Sequence, residues 1–102
     1  MIQDVFCKII NSELKTDKVY EDKDFIVIKD INPQAPVHLL LIPVKHYFDI
    51  HAVINEDSSL FGKAMAVADK VAHDAGLSEK GYRLIINEGE HGGKLVPHLH
   101  IH

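Results

Sequence analysis

The spacing of apolar residues changes several times along the chain, and each change marks an element. In "DVFCKIIN" the residues Val5, Phe6, Ile9 and Ile10 fall on one face of a short helix that Asp4 is placed to cap. "KVYED" and "DFIVIKDI" are rich in β-branched and aromatic residues and predict two strands joined by a turn at Glu21–Lys23. "NPQAP" breaks the pattern with its prolines, and "VHLLLIPV" then predicts a strand whose unbroken apolar run suits a position covered on both faces. From Asp57 to Ala75 the period becomes helical. Leu60, Ala64, Val67 and Val71 form a stripe that Phe61, Met65, Ala68 and Ala72 widen, with Asn55 or Asp57 as cap and Gly76 as stop. "YRLIINEG" predicts a further strand, "EGEHGGKL" a Gly-containing connection and "VPHLHIH" the last strand. The order αββ–β–α–ββ predicts an α+β domain, a mainly antiparallel sheet of about five strands carrying two helices.

Length and charge narrow the partners. A chain of 102 residues makes a single domain, 1–102, with one modest core. Its net charge of −4, with both signs mixed along the chain, argues against a nucleic-acid polymer, which is held by clustered Lys and Arg. A small nucleotide needs only a local site and remains compatible. The single cysteine, Cys7, excludes an intrachain disulfide and suits a reducing compartment. No basic region followed by an apolar run opens the chain, and no stretch approaches the ~20 apolar residues of a membrane span. The expected setting is cytoplasmic, with no membrane partner.

The compositional oddity is histidine, with eight residues in all and three in the closing "HLHIH". On a strand rising ~3.3 Å per residue, His98, His100 and His102 share one face, and Leu99 and Ile101 take the other. Such a row is a solvated edge or tag, a metal site, or a nucleophilic imidazole flanked by two helpers. The preceding Gly89, Gly92 and Gly93 favour the third reading, because they permit backbone N–H groups to converge on an anion.

"HLHIH", preceded by "INEGEHGG" and by "KDINPQAPVHLLLIPVKH", resembles the histidine triad (HIT) nucleotide-binding and hydrolase family, and its phosphoramidase-like branch most. The opening "FCKIIN…VYEDKDFIVIKD" is similar too, so the resemblance runs along essentially the whole chain. It implies a homodimer whose two sheets join, binding purine nucleotides of the AMP or GMP type. It implies hydrolysis at the α-phosphate of nucleoside phosphoramidates through a covalent nucleotidyl-histidine. The nucleophile would be His100, oriented by the main-chain carbonyl of His98. His102 would contact the phosphate and help protonate the leaving group, with His38 joining the imidazole cluster. Asp30 would accept the ribose hydroxyls, and Asn87 would lie beside the phosphate with Gly93, Lys94 and Val96. Val5, Phe6, Ile9, Ile28 and Ile31 would wall the base. No cofactor is required. The alternatives are a dinucleoside polyphosphate hydrolase and a nucleotide-binding scaffold of weak or no activity.

Taken singly, each residue has a plainer role. Asp30 and Asn87 suit turns, Phe6 and Ile9 a core, and His38 a buried satisfied histidine. The chain also departs from the family pattern. Many members continue past the third histidine with two apolar residues and a Gly-containing tail. Leu95 stands where a polar residue such as Ser is common, which predicts a slower or differently selective hydrolase, and Lys94 stands where Gln is common. Of the Cys-x-x-Cys that some relatives pair with two histidines around structural zinc, only Cys7 is present. Asp4, His46 and His98 are the other possible ligands.

Overall fold

The computed structural model describes residues 5–10 and 17–102. Its elements are α1 (Val5–Ile10), β1 (Lys18–Glu21), β2 (Phe25–Lys29), β3 (Leu39–Pro43), α2 (Ile50–Asp57) and α3 (Leu60–Asp74). The strands form an antiparallel sheet in the order β1-β2-β3. Asp22 makes the first turn, its Oδ1 accepting the N–H groups of Asp24 and Phe25 at 2.7 Å each. β2 and β3 pair from Phe25↔Pro43 to Lys29↔Leu39. The Asp30 N–H extends this pairing to the His38 carbonyl at 3.0 Å.

Both faces of the β2–β3 pair are dry, as the unbroken apolar runs predict. Val27 and Leu41 pack with Ala64, Val67, Ala68 and Val71 of α3. Ile26, Ile28, Leu40 and Ile42 pack on the opposite side with Phe6 and Ile9 of α1. α1 has only six residues, too few to be stable alone, so this packing is what holds it. α3 buries the predicted stripe but leaves Met65 largely open. It ends in a Schellman turn: Gly76 at φ +76° donates to His73 O, and Leu77 N–H donates to Ala72 O. No helix among the described residues is long and apolar enough to cross a membrane.

The α+β class stands, with two corrections of detail. There are three helices among the described residues, and α3 begins at Leu60 rather than Asp57. Ser59, not Asn55 or Asp57, is the N-cap residue of α3, and its side chain makes no capping bond, whereas α2 is capped by Asp49, which accepts the Ala52 N–H at 2.9 Å. Asp57 accepts from the N–H and hydroxyl of Ser59, an alternative to helical bonding that separates α2 from α3. Among the described residues the sheet has three strands, not about five. The closing segment joins β3 by one bridge, in which Leu41 and Ile101 exchange two bonds of 2.9 Å. Ile85 and His102 likewise exchange bonds of 3.0 and 2.8 Å. Beyond that pair, the predicted strand over 82–89 forms no ladder among the described residues.

Ile42 is fully buried and Asp49 caps an exposed helix start, so their removal should differ in cost. We expect Ile42→Ala to lose about 2–5 kcal/mol of stability and Asp49→Ala about 1 kcal/mol, measured by urea unfolding.

Candidate active site

The Leu41–Ile101 bridge decides where the imidazoles go. It sends Leu99 and Ile101 into the α3-side core and His98, His100 and His102 to the α1 side. His98 is fully buried and His100 nearly so. The Phe6 ring stands edge-on to His100 with centroids 4.9 Å apart, and the His102 ring flanks it at 5.0 Å.

Hydrogen bonds fix where the ring protons lie. His100 Nδ1 is 2.8 Å from the His98 carbonyl oxygen, which can only accept. Nδ1 therefore carries the proton, and Nε2 keeps its lone pair with no hydrogen-bond partner among the described residues. His98 Nε2 donates to the Pro43 carbonyl at 3.1 Å, which leaves its Nδ1 facing Cys7 Sγ at 3.6 Å. The third ring is set from further away. The Gln34 N–H donates to His38 Nδ1 at 2.9 Å, so the proton of neutral His38 sits on Nε2. That nitrogen lies 2.9 Å from His102 Nδ1 and 3.2 Å from Asp30 Oδ2. Two protons do not fit between nitrogens 2.9 Å apart, so His102 Nδ1 accepts and neutral His102 carries its proton on Nε2. The Asn87 amide nitrogen stands 3.4 Å from that nitrogen, and turning the amide over by 180° would present its oxygen to the His102 N–H. Burial, together with the neighbouring His100 and His38, lowers the His102 pKa below its usual 6.5.

The loop before the strand is a closed turn. Gly93 N–H donates to Glu90 O at 3.1 Å and Lys94 N–H to Gly89 O at 3.0 Å. Gly92 passes so close to the Glu88 backbone that a Cβ would lie 2.1 Å from its carbonyl oxygen.

An imidazole with a free lone pair, a donor imidazole beside it and a glycine turn leading into both is an arrangement with known counterparts. The HIT domain family pattern matches residues 11–102. The chain belongs to the HIT family. An uncharacterised HIT-like protein of Chlamydia muridarum is 49% identical over 98 residues, spanning 96% of this chain and 77% of that protein. The purine nucleoside phosphoramidase of Escherichia coli K12 is 42% identical over 98 residues, spanning 96% and 82%. The solved HIT family hydrolase of Clostridium thermocellum superposes with a TM-score of 0.94 at 46% identity, covering 99% of this chain and 88% of its own.

This HIT domain draws some of the candidate residues together and sets others apart. His38, His100, His102, Asp30 and Asn87 form the connected cluster just described. Asp30 Oδ1 accepts the Asn32 N–H at 2.9 Å, and Oδ2 lies 3.2 Å from His38 Nε2, which leaves the carboxylate with further acceptor capacity. Phe6, Ile9 and Ile28 are buried in the α1-side core, with Val96 packed against it. Val5 is substantially exposed, and Ile31 is 87% exposed. The Gly93 N–H is spent within its own turn. Lys94 turns its ammonium to the Phe48 carbonyl and to Glu88, and Leu95 is 93% exposed. A cavity of about 740 Å³ lies on the α3 side, with His38, Asn87 and His102 of the cluster on its wall. Cys7, His46 and His98 bring Sγ and two Nδ1 atoms within 4.8 Å of one another, a donor set that suits a divalent ion such as zinc. Asp4, the fourth candidate ligand, lies outside the described residues.

The Gln34 N–H is a site group that residue reading missed, because every residue except proline supplies one. Imidazole 15N shifts at neutral pH should show His100 protonated on Nδ1, and His38 and His102 on Nε2. A His102 ring protonated on Nδ1 would contradict the network. Gly92→Ala, which drives a methyl into the Glu88 backbone, should break the loop and show up as lost amide protection at Gly93 and Lys94.

Proposed function

We propose that this HIT domain hydrolyses purine nucleoside phosphoramidates at the α-phosphate, with His100 as nucleophile. One observation carries the reading: the His98 carbonyl holds the His100 proton on Nδ1, leaving the Nε2 lone pair available to phosphorus. The resemblance to the E. coli phosphoramidase supports the substrate class.

In the first half-reaction, His100 Nε2 bonds to phosphorus as the P–N bond breaks. The departing nitrogen takes up one proton from solvent and leaves as the amine. In the second, water attacks phosphorus, the His100–phosphorus bond breaks and the attacking water gives one proton back to solvent, releasing a nucleoside monophosphate of the AMP or GMP type. His102 serves as a fixed donor. Its Nδ1 is committed to the His38 N–H, so the ring resists a second proton and offers Nε2–H to a phosphoryl oxygen. Asp30, seated beside His38, is the acceptor placed for the ribose hydroxyls. The scheme uses no cofactor. A zinc ion among Cys7, His46 and His98 would brace α1 against the sheet, outside the reaction. The same reading places the protein in the cytoplasm and takes a second copy of the chain as partner. Met65, Tyr82 and Leu84, apolar and each more than two-fifths exposed, are surface that such a copy would cover.

The test is turnover of a fluorogenic adenosine phosphoramidate and of diadenosine polyphosphates. Turnover of the phosphoramidate, with a nucleotidyl adduct on residue 100 in mass spectra, is the expected result. His100→Ala should lose the adduct and at least about 10⁴-fold in kcat/KM. His102→Ala should cost about 10²–10³-fold, the loss of one transition-state donor. Preference for diadenosine polyphosphates would move the substrate assignment, and binding without turnover of either would leave a scaffold.

A further inference from the structure

Lys94 is the one lysine of the glycine loop, the reaction scheme leaves it without work, and it is not solvated. Its side chain is only 6% exposed, an expensive state for an ammonium unless its donors are met. They are met by three groups: the Phe48 carbonyl, Glu88 Oε1 at 3.5 Å, and the face of the Phe48 ring 4.8 Å away. Glu88 and Lys94 stand at the two ends of the loop, so their contact closes its base beside the Lys94 N–H bond to Gly89 O.

The acceptor side is equally fixed. Tyr47, the neighbour of Phe48, accepts the Leu99 N–H on its own carbonyl at 2.7 Å. Two consecutive carbonyls of one turn therefore receive the two ends of segment 94–99. The turn is itself anchored to α2, where Tyr47 Oη donates to Glu56 Oε2 at 2.5 Å and Lys45 pairs with the same carboxylate. That hydrogen bond to Glu56 pushes the Tyr47 pKa up to about 12, so the phenol keeps its proton and remains a donor.

We propose that Lys94 is a positioning residue: its buried ammonium latches the Glu88–Lys94 loop to the Tyr47–Phe48 turn, so that the loop is already ordered when a phosphate arrives. The residue acts on the loop and not on the phosphate. The latch stands on the contacts above, whereas its effect on turnover rests on the phosphoramidase reading.

Two measurements on the full chain separate these. Amide hydrogen exchange without nucleotide reads the latch, and steady-state kinetics with an adenosine phosphoramidate read its use. Lys94→Met, similar in length but without a donor, should speed exchange at Gly93 and residue 94 by about tenfold while α3 amides stay unchanged. It should raise KM by about tenfold with kcat within about threefold, because binding is weakened and the nucleophile is untouched. Lys94→Arg, which restores a cationic donor, should recover both. Glu88→Gln, which keeps the loop sequence and weakens one contact, should show a smaller exchange increase and serves as the test if Lys94→Met does not fold. Unchanged loop exchange in Lys94→Met, or in Glu88→Gln if only that folds, overturns the latch whatever the kinetics show. A raised KM with unchanged exchange would mean that Lys94 meets the phosphate directly. If the parent protein turns nothing over, the phosphoramidase reading fails while the exchange result still decides the latch.

Discussion

Two hydrogen bonds between Leu41 and Ile101 seat the closing segment against β3, and the placement of its three imidazoles follows from them. They set parity, sending Leu99 and Ile101 into the α3-side core and the histidines to the other face. The energetic weight lies on the apolar side, because two buried aliphatic side chains contribute several times what two exchanged backbone bonds do. Burial of Leu99 and Ile101 thus holds His100 in place, although neither residue carries any chemistry.

Polar groups then refine what the core has positioned. The His100 ring is oriented by its own segment, through the His98 carbonyl. The His102 ring is oriented from further away, through the Gln34 N–H and His38. These controls act in opposite senses: one leaves an unshared pair on Nε2 of His100, the other a proton on Nε2 of His102. Adjacent rings of the same residue type are given complementary faces, one by a backbone carbonyl and the other by His38, itself set by a backbone N–H and seated beside Asp30.

Legibility followed the strength of the physical signal. β2, β3 and α3 were readable because each buries a long periodic or continuous apolar run. α2 was not, since Val53 is its only buried residue and its start depends on the Asp49 side chain. The triad was readable as a row, because alternation on a strand is geometry. The contacts of Asp30 with His38 and Asn32 were not, because a carboxylate's partners depend on how the 30–38 connection folds. Lys94 shows the same limit. Its type suggested a phosphate contact, but where a flexible four-carbon stem points is settled by whichever buried acceptors lie within reach. Here these belong to the Tyr47–Phe48 turn, more than forty positions upstream.

The strict alternation of ring and aliphatic residues through 98–102 also restricts how this domain can diverge. Adding or deleting one residue inside that segment would swap the two sides, burying imidazoles against α3 and lining the reactive face with leucine and isoleucine. Descendants of this chain can trade side chains within the segment or lengthen the loop before it, but a single-residue change inside the segment must be absorbed by a bulge if the rings beyond it are to keep their side.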